Sequence, residues 1–230
     1  MRSISKLRQE RALTRVEVLV VIFALEVLAI LAWSLIRQHQ ASSRASTCEI
    51  NLRQVGVAFA IWSREHGGRY PFATPGSLSH SNRSEIWKHF WDVKQPRLVL
   101  TCPEEKEAVH AYRRSPDYDG PEFYYDQHQR AISYFVGLTA DETLPAALLT
   151  GDRNLIAPAA WFSGPVLNLT TNTPYEWSPE MHRKRGYVAL ADGSVQLMKR
   201  RQLQSVLTDW KQTPVTNMLL LPTLPEGLQP

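Results

Sequence analysis

One histidine, three acidic positions and two cysteines carry most of the chemistry this chain could do. His182 and Asp192 stand with nine residues between them, and Asp152 lies in Gly151-Asp152-Arg153-Asn154. If the residues between His182 and Asp192 form a strand, the three side chains could approach one another in a small polar cluster. One imidazole and two carboxylates would suit Ca²⁺ or Zn²⁺, or an anchored hydrolase. A plainer reading is preferred: Asp192-Gly193 is a turn pair suited to a tight hairpin, and His182 hydrogen-bonds the loop before the strand. Cys48 and Cys102 lack the C-x-x-C spacing of zinc sites. They are either one disulfide, as an exported protein permits, or two partly buried thiols. There is no G-x-S-x-G elbow, phosphate loop, dinucleotide fingerprint or H-E-x-x-H pair. The chain is therefore expected not to be an enzyme and to need no cofactor, with calcium kept as the candidate ion ahead of zinc. Phe123-Tyr124-Tyr125 and Trp161-Phe162 are either a binding surface or core.

The third acidic position is Glu17. It and Glu26 interrupt Leu13–Ile36, an otherwise apolar stretch without Pro or Gly and about as long as a membrane-crossing helix. A carboxylate in such a span costs roughly 2.5–3.5 kcal/mol on insertion scales, so it calls for a partner or a purpose. The segment before it, residues 1–12, is short and basic: Arg2, Lys6, Arg8 and Arg11 against Glu10 hold +3 of the formal +4, leaving +1 for the rest. A positive leader keeps the N-terminus in the cytoplasm, and the globular part would then lie across the membrane. Such a weak excess beyond residue 12 argues against a nucleic-acid partner, which calls for Lys and Arg clustered on the folded domain. Ala41–Ala45 is small enough to hold a signal-peptide cleavage site, the ordinary alternative.

Other elements must position these residues. The helix is expected to run from about residue 14 to 66, roughly 80 Å at 1.5 Å per residue. It is apolar all round at first, then amphipathic over 37–68. In this second part Ile50, Val57 and Ile61, with Leu52, Val55 and Phe59 between them, form the apolar side, and Arg53, Gln54, Ser63 and Arg64 fall largely opposite. His66-Gly67-Gly68 ends it. The head, 69–215, is read as a loop to Asn82, a short helix over Glu85–Val93, and a strand over Arg97–Thr101. Strands follow over Ala131–Gly137 and Ala146–Thr150, then a loop over Thr170–Pro179. Gly186–Arg200 is the clearest β signal, two alternating runs around Asp192-Gly193. Arg201–Trp210 follows as a helix burying Leu203, Val206 and Leu207. Residues 216–230, rich in Pro, are expected as an extended or frayed tail.

The stretch ALTRVEVLVVIFALEVLAILA resembles the N-terminal motif of type IV pilin-like proteins and type II secretion pseudopilins. His182 to Asp192-Gly193 is similar to the H-x9-D-G signature of a large pseudopilin-like group. Cys48 with Asn51-Leu52-Arg53-Gln54, Cys102-Pro103 and Gly151-Asp152-Arg153-Asn154 sit where similar proteins place comparable pieces. The resemblance implies an α+β fold, a long N-terminal helix (transmembrane, then amphipathic) packed on a small antiparallel sheet. It implies cleavage by a prepilin peptidase between Ala12 and Leu13, N-methylation of Leu13, and Glu17 meeting the free amine of a neighbouring subunit. The implied partners are that peptidase, other pseudopilins bundled through the N-terminal helix, and an inner-membrane assembly platform. The implied location is the bacterial inner membrane, single-pass, with the head periplasmic, and calcium sites occur in related pseudopilins. Four features depart from the pattern: Ala12 for Gly, Arg15 for an aliphatic residue, Glu26 within the span, and Ser34 where a Pro is common. Arg15 and Glu26 disturb helix bundling and favour the rival reading, an anchored binding protein that does not polymerise.

Overall fold

The computed structural model describes residues 15–73, 97–106, 108, 132–163, 166–209, 211–214 and 216–222. The fold is α+β, and the chain divides into two units, residues 1–42 and 43–230. Helix α1 (Arg15–Glu65) begins in the first and ends in the second. In the first unit every described residue from Arg15 to Gln40 is exposed. Among the described residues this is the one helix long and apolar enough to cross a membrane, and it lies near the N-terminus. Near the end of its apolar run the Arg37 guanidinium lies 5.2 Å over the Trp33 ring, a cation–π contact.

In the second unit α1 becomes one-sided. Cys48, Leu52, Val55, Phe59 and Trp62 are buried, with Ser63 among them, while Ile50, Val57 and Ile61 remain 55%, 51% and 40% exposed. The expected apolar side therefore splits. At 100° per residue Ile50 and Val57 sit nearly opposite Leu52, and Ser63 comes round beneath it. The helix closes as expected: Gly68 N–H donates to the Ser63 carbonyl at 2.8 Å, with Gly67 and Gly68 at φ 70° and 79°, the left-handed exit that glycine accepts without strain.

Among the described residues nine strands follow: β1 (Tyr134–Gly137), β2 (Leu148–Asp152), β3 (Leu155–Ile156), β4 (Phe162–Ser163), β5 (Val166–Leu169), β6 (Glu176–Trp177), β7 (Gly186–Leu190), β8 (Val195–Met198) and β9 (Asn217–Leu220). Seven form one sheet, ordered β4-β5-β9-β1-β2-β7-β8, with every pair antiparallel; β3 and β6 make a separate ribbon. Alternate residues feed two cores. Tyr134, Val136, Leu149, Tyr187, Ala189 and Leu220 face the α1 side, where Gly56 lets the helix approach Ala189. Phe135, Leu148, Val188, Leu190 and Leu219 face the other, covered by Leu203 and Leu207 of α2 (Arg200–Leu207) and by Trp177. Gly186 is obligatory there, because a Cβ would fall 2.2 Å from the Trp177 ring.

Several expectations give way. Arg97–Leu100 is a 3-10 turn, not a strand. Asp152, expected after a strand, lies inside β2, and the loop expected over 170–179 contains β6. Residues 217–220 are extended but no tail. They form β9, inserted between β5 and β1, because Leu219, Leu220 and Leu221 are all buried and the prolines begin only at Pro222. Val206 is only half-buried. Residues 1–14, with Ala12 and Leu13, Glu85–Val93 and Phe123–Tyr125 lie outside the described residues; Trp161 and Phe162 pack against the second core.

Candidate functional site

Three separated pieces of sequence meet beneath α1: Cys102-Pro103-Glu104-Glu105, Gly151-Asp152-Arg153-Asn154, and the turn Met181–Arg185. Cys102 is bridged to Cys48, with a Cα–Cα distance of 5.1 Å across 54 residues of sequence. Of the two readings for these cysteines, the disulfide is the one the structure holds. Both are fully buried, so the bridge fastens α1 to the segment bearing Glu104 and Glu105.

His182 is the centre of this cluster. Its Nδ1 lies 2.9 Å from Glu104 Oε2 and its Nε2 3.3 Å from Asp152 Oδ2, and its backbone N–H also donates to Glu104 Oε2 at 3.0 Å. The Tyr187 ring meets the imidazole edge-on, centroids 4.9 Å apart, and Cys102 Sγ is 3.4 Å from Nε2. Asp152 Oδ2 also accepts the Tyr187 N–H at 2.6 Å. Its Oδ1 has no hydrogen-bond partner among the described residues. Neighbouring pairs tighten the assembly. Arg153 and Glu105 form an ion pair largely withdrawn from water. The Asn154 amide donates to the carbonyls of Ser178, Met181 and Arg185, holding both ends of the turn.

That turn is unusual. His182, Arg183 and Lys184 are three consecutive non-glycine residues at φ 46°, 53° and 62°. Each such residue costs roughly 1–2 kcal/mol. The Asn154 and Glu104 bonds offset this, and the result is that His182 points inward while Arg183 and Lys184 are exposed.

Burial sets the proton positions. It pushes the Asp152 carboxyl well above its ordinary range, against the pull of the Tyr187 N–H, and it pushes the His182 imidazole down, against the attraction of Glu104. Both directions favour uncharged partners, a carboxylic acid beside a neutral ring, which is the cheaper state where water is excluded. Both ring nitrogens are already engaged, so the cluster behaves as a fixed hydrogen-bonded strut.

Asp192 and Gly193 are elsewhere. Five residues of β7, at about 3.3 Å each, separate them from His182. Asp192 is exposed at the β7–β8 turn, where its Oδ1 accepts the Ser194 N–H at 2.8 Å and Gly193 takes φ 84°. The set Asp152, His182 and Asp192 therefore does not converge, and the hairpin explanation of Asp192-Gly193 is the one seen. Cys48, Cys102 and His182 also lie close together among the described residues, but both sulfurs are consumed by the bridge. Sequence reasoning does not single out Glu104, and it meets Asn154 and Tyr187 only as members of longer motifs. Glu104 had a signal, an acid two residues after a cysteine of the resemblance, but nothing local pairs it with a histidine 78 residues on.

No family model, no curated protein and no solved structure matches the chain.

Proposed function

We propose that the chain is a pilin-like, single-pass membrane protein, the subunit of a type II secretion or type IV pilus-like periplasmic filament. The observation that carries this reading is the first half of α1. Val16, Leu19, Val20, Phe23, Leu25, Leu28, Ile30, Leu31 and Ile36 are each about half exposed or more. A helix that is apolar all round needs cover from lipid or from other helices. Trp33 and Arg37 near its outer end are the residues that favour a membrane–water interface, and Ile50, Val57 and Ile61 extend an apolar edge for neighbouring helices. In this reading a prepilin peptidase cuts between Ala12 and Leu13, and the new amine meets Glu17 of a neighbouring subunit, two charges compensating each other in low dielectric. Other pseudopilins and an inner-membrane platform are the partners, with the head periplasmic. The disulfide suits that oxidising compartment. The His182 cluster is read as a structural strut with no catalytic role.

The test is the mass of the mature N-terminus, combined with cross-linking in cells. A chain beginning at N-methylated Leu13, whose cross-linked polymers vanish in Glu17→Ala, is expected. An intact Met1, or polymers equally abundant without the carboxylate, overturns the filament reading and leaves a solitary anchored head, the reading that Arg15 and Glu26 favour.

A further inference from the structure

Two basic runs flank the β7–β8 hairpin, Arg183-Lys184-Arg185 before it and Lys199-Arg200-Arg201 after it. Gly186 pairs with Met198, so both runs leave the hairpin at the same end. There all six cations line one open cleft of about 900 Å³. Five of the six side chains are exposed and Arg185 is half-buried. Among the described residues only Glu176 comes within ion-pair reach, 3.8 Å from Arg200; Arg183, Lys184, Lys199 and Arg201 have no carboxylate within 4 Å. Net charge concealed this, because the +1 beyond residue 12 averages over the whole chain.

The concentration is costly to the fold alone. Like charges gathered around one cleft repel one another, and Arg183 and Lys184 are held in a left-handed conformation besides. An anion carrying repeated charge would reverse the first cost.

We propose that the cleft binds the phosphodiester backbone of a nucleic acid strand without regard to sequence. Four of the six cations are arginines, whose planar fork matches phosphate oxygens two at a time. Two separate cationic runs facing one cleft suit a polymer with charge at intervals better than a lone oxyanion. Among the described residues no aromatic side chain lines the cleft, so bases find no stacking platform and contact stays on the backbone. A lipid surface, the rival polyanion, is flat, whereas these cations line a concavity. The inference is independent of polymerisation, since the head carries the cleft in either case.

The experiment uses the full chain in phosphatidylcholine nanodiscs and the fluorescence anisotropy of labelled 20-nucleotide single strands of several sequences. Affinity is expected to be alike across sequences. For four to six neutralised phosphates it should fall roughly 50- to 300-fold between 50 and 200 mM salt. Lys184→Glu with Arg201→Glu is expected to lose at least tenfold, while Arg64→Glu on the exposed side of α1 stays within twofold. Lys184→Gln with Arg201→Gln is the milder pair should reversal disturb folding, and thermal melts establish that each variant is folded. The proposal is overturned by no binding at 50 mM salt, by binding indifferent to both pairs, or by strong sequence preference. It is equally overturned if phosphatidylglycerol vesicles, bound through the same residues, compete the strand away at equal phosphate. None of these results depends on the state of Leu13 or Glu17.

Discussion

His182 and Arg183 are adjacent in the chain and opposite in circumstance. One is 4% exposed, set between Glu104 and Asp152, with each ring nitrogen engaged. The other is exposed and shares a cleft with five further cations and little acid. A single left-handed turn makes the separation. The inner side lowers its energy by holding Asp152 and His182 uncharged and hydrogen-bonded to each other, as burial favours. The outer side accumulates charge of one sign, which no folding requirement demands. Clustered residues that stability does not explain are the ones to test for binding.

The comparison breaks most completely if the inner side is released from α1. Replacing Cys48 and Cys102 by Ala removes a bridge spanning 54 residues, for which chain-entropy reasoning gives a loss of about 4 kcal/mol. Urea unfolding followed by tryptophan fluorescence, with and without reductant, should show the wild type falling toward the double variant once reduced. A loss below about 1 kcal/mol would mean that the helix is held by its apolar contacts alone.

A smaller effect tests how the inner side holds its protons. Asp152→Ala leaves the buried Tyr187 N–H without its acceptor and should cost about 1–3 kcal/mol. Asp152→Asn can set its amide oxygen at the Oδ2 position and keep an acceptor for Tyr187, giving up the bond to His182 that the same atom makes, and should cost less than alanine. The signs with pH follow from the two directions. A raised Asp152 contributes stability that is complete below the ordinary aspartate value of 3.8 and fades as pH climbs through the folded one. A lowered His182 contributes stability that is lost as pH falls below 6.5. Asparagine abolishes the first contribution and spares the second, so the variant should gain on the wild type as pH rises from about 4 to 8. A variant that instead loses ground would establish an aspartate–imidazolium pair.

These inner residues show how far the sequence could be read. The Asp192-Gly193 hairpin, the end of α1 at Gly67-Gly68 and the apolar run from residue 15 are local patterns, and local patterns are visible in one chain. The pairing of His182 with Asp152 is a consequence of β2 lying beside β7, and its pairing with Glu104 joins residues 78 apart; no spacing announces either. β9 was obscured for another reason. Its leucines are buried on both faces of a central strand, so they show no alternation, and the prolines after Leu221 make the whole segment resemble a tail. The cationic cleft was hidden by arithmetic, since two runs of three separated by a hairpin look modest until β7 and β8 bring their ends together.

The smallest expected effect is the sharpest test of the outer side. Lys184 sits at φ 62°, where a side chain costs roughly 1–2 kcal/mol that glycine avoids, while glycine loses about 0.5–1 kcal/mol through its freer unfolded chain. Lys184→Gly should therefore stabilise the head by about 0.5–1 kcal/mol in urea unfolding, and removing one cation from a crowded cleft adds in the same direction. The same change should weaken strand binding and lower the slope of log affinity against log salt by about 0.7, the value for one phosphate contact on a single strand. A variant that is more stable and binds less well would show lysine held at this position against the preference of the fold. A variant more stable with binding untouched would leave the outer side of the turn without a ligand and its charge without a use.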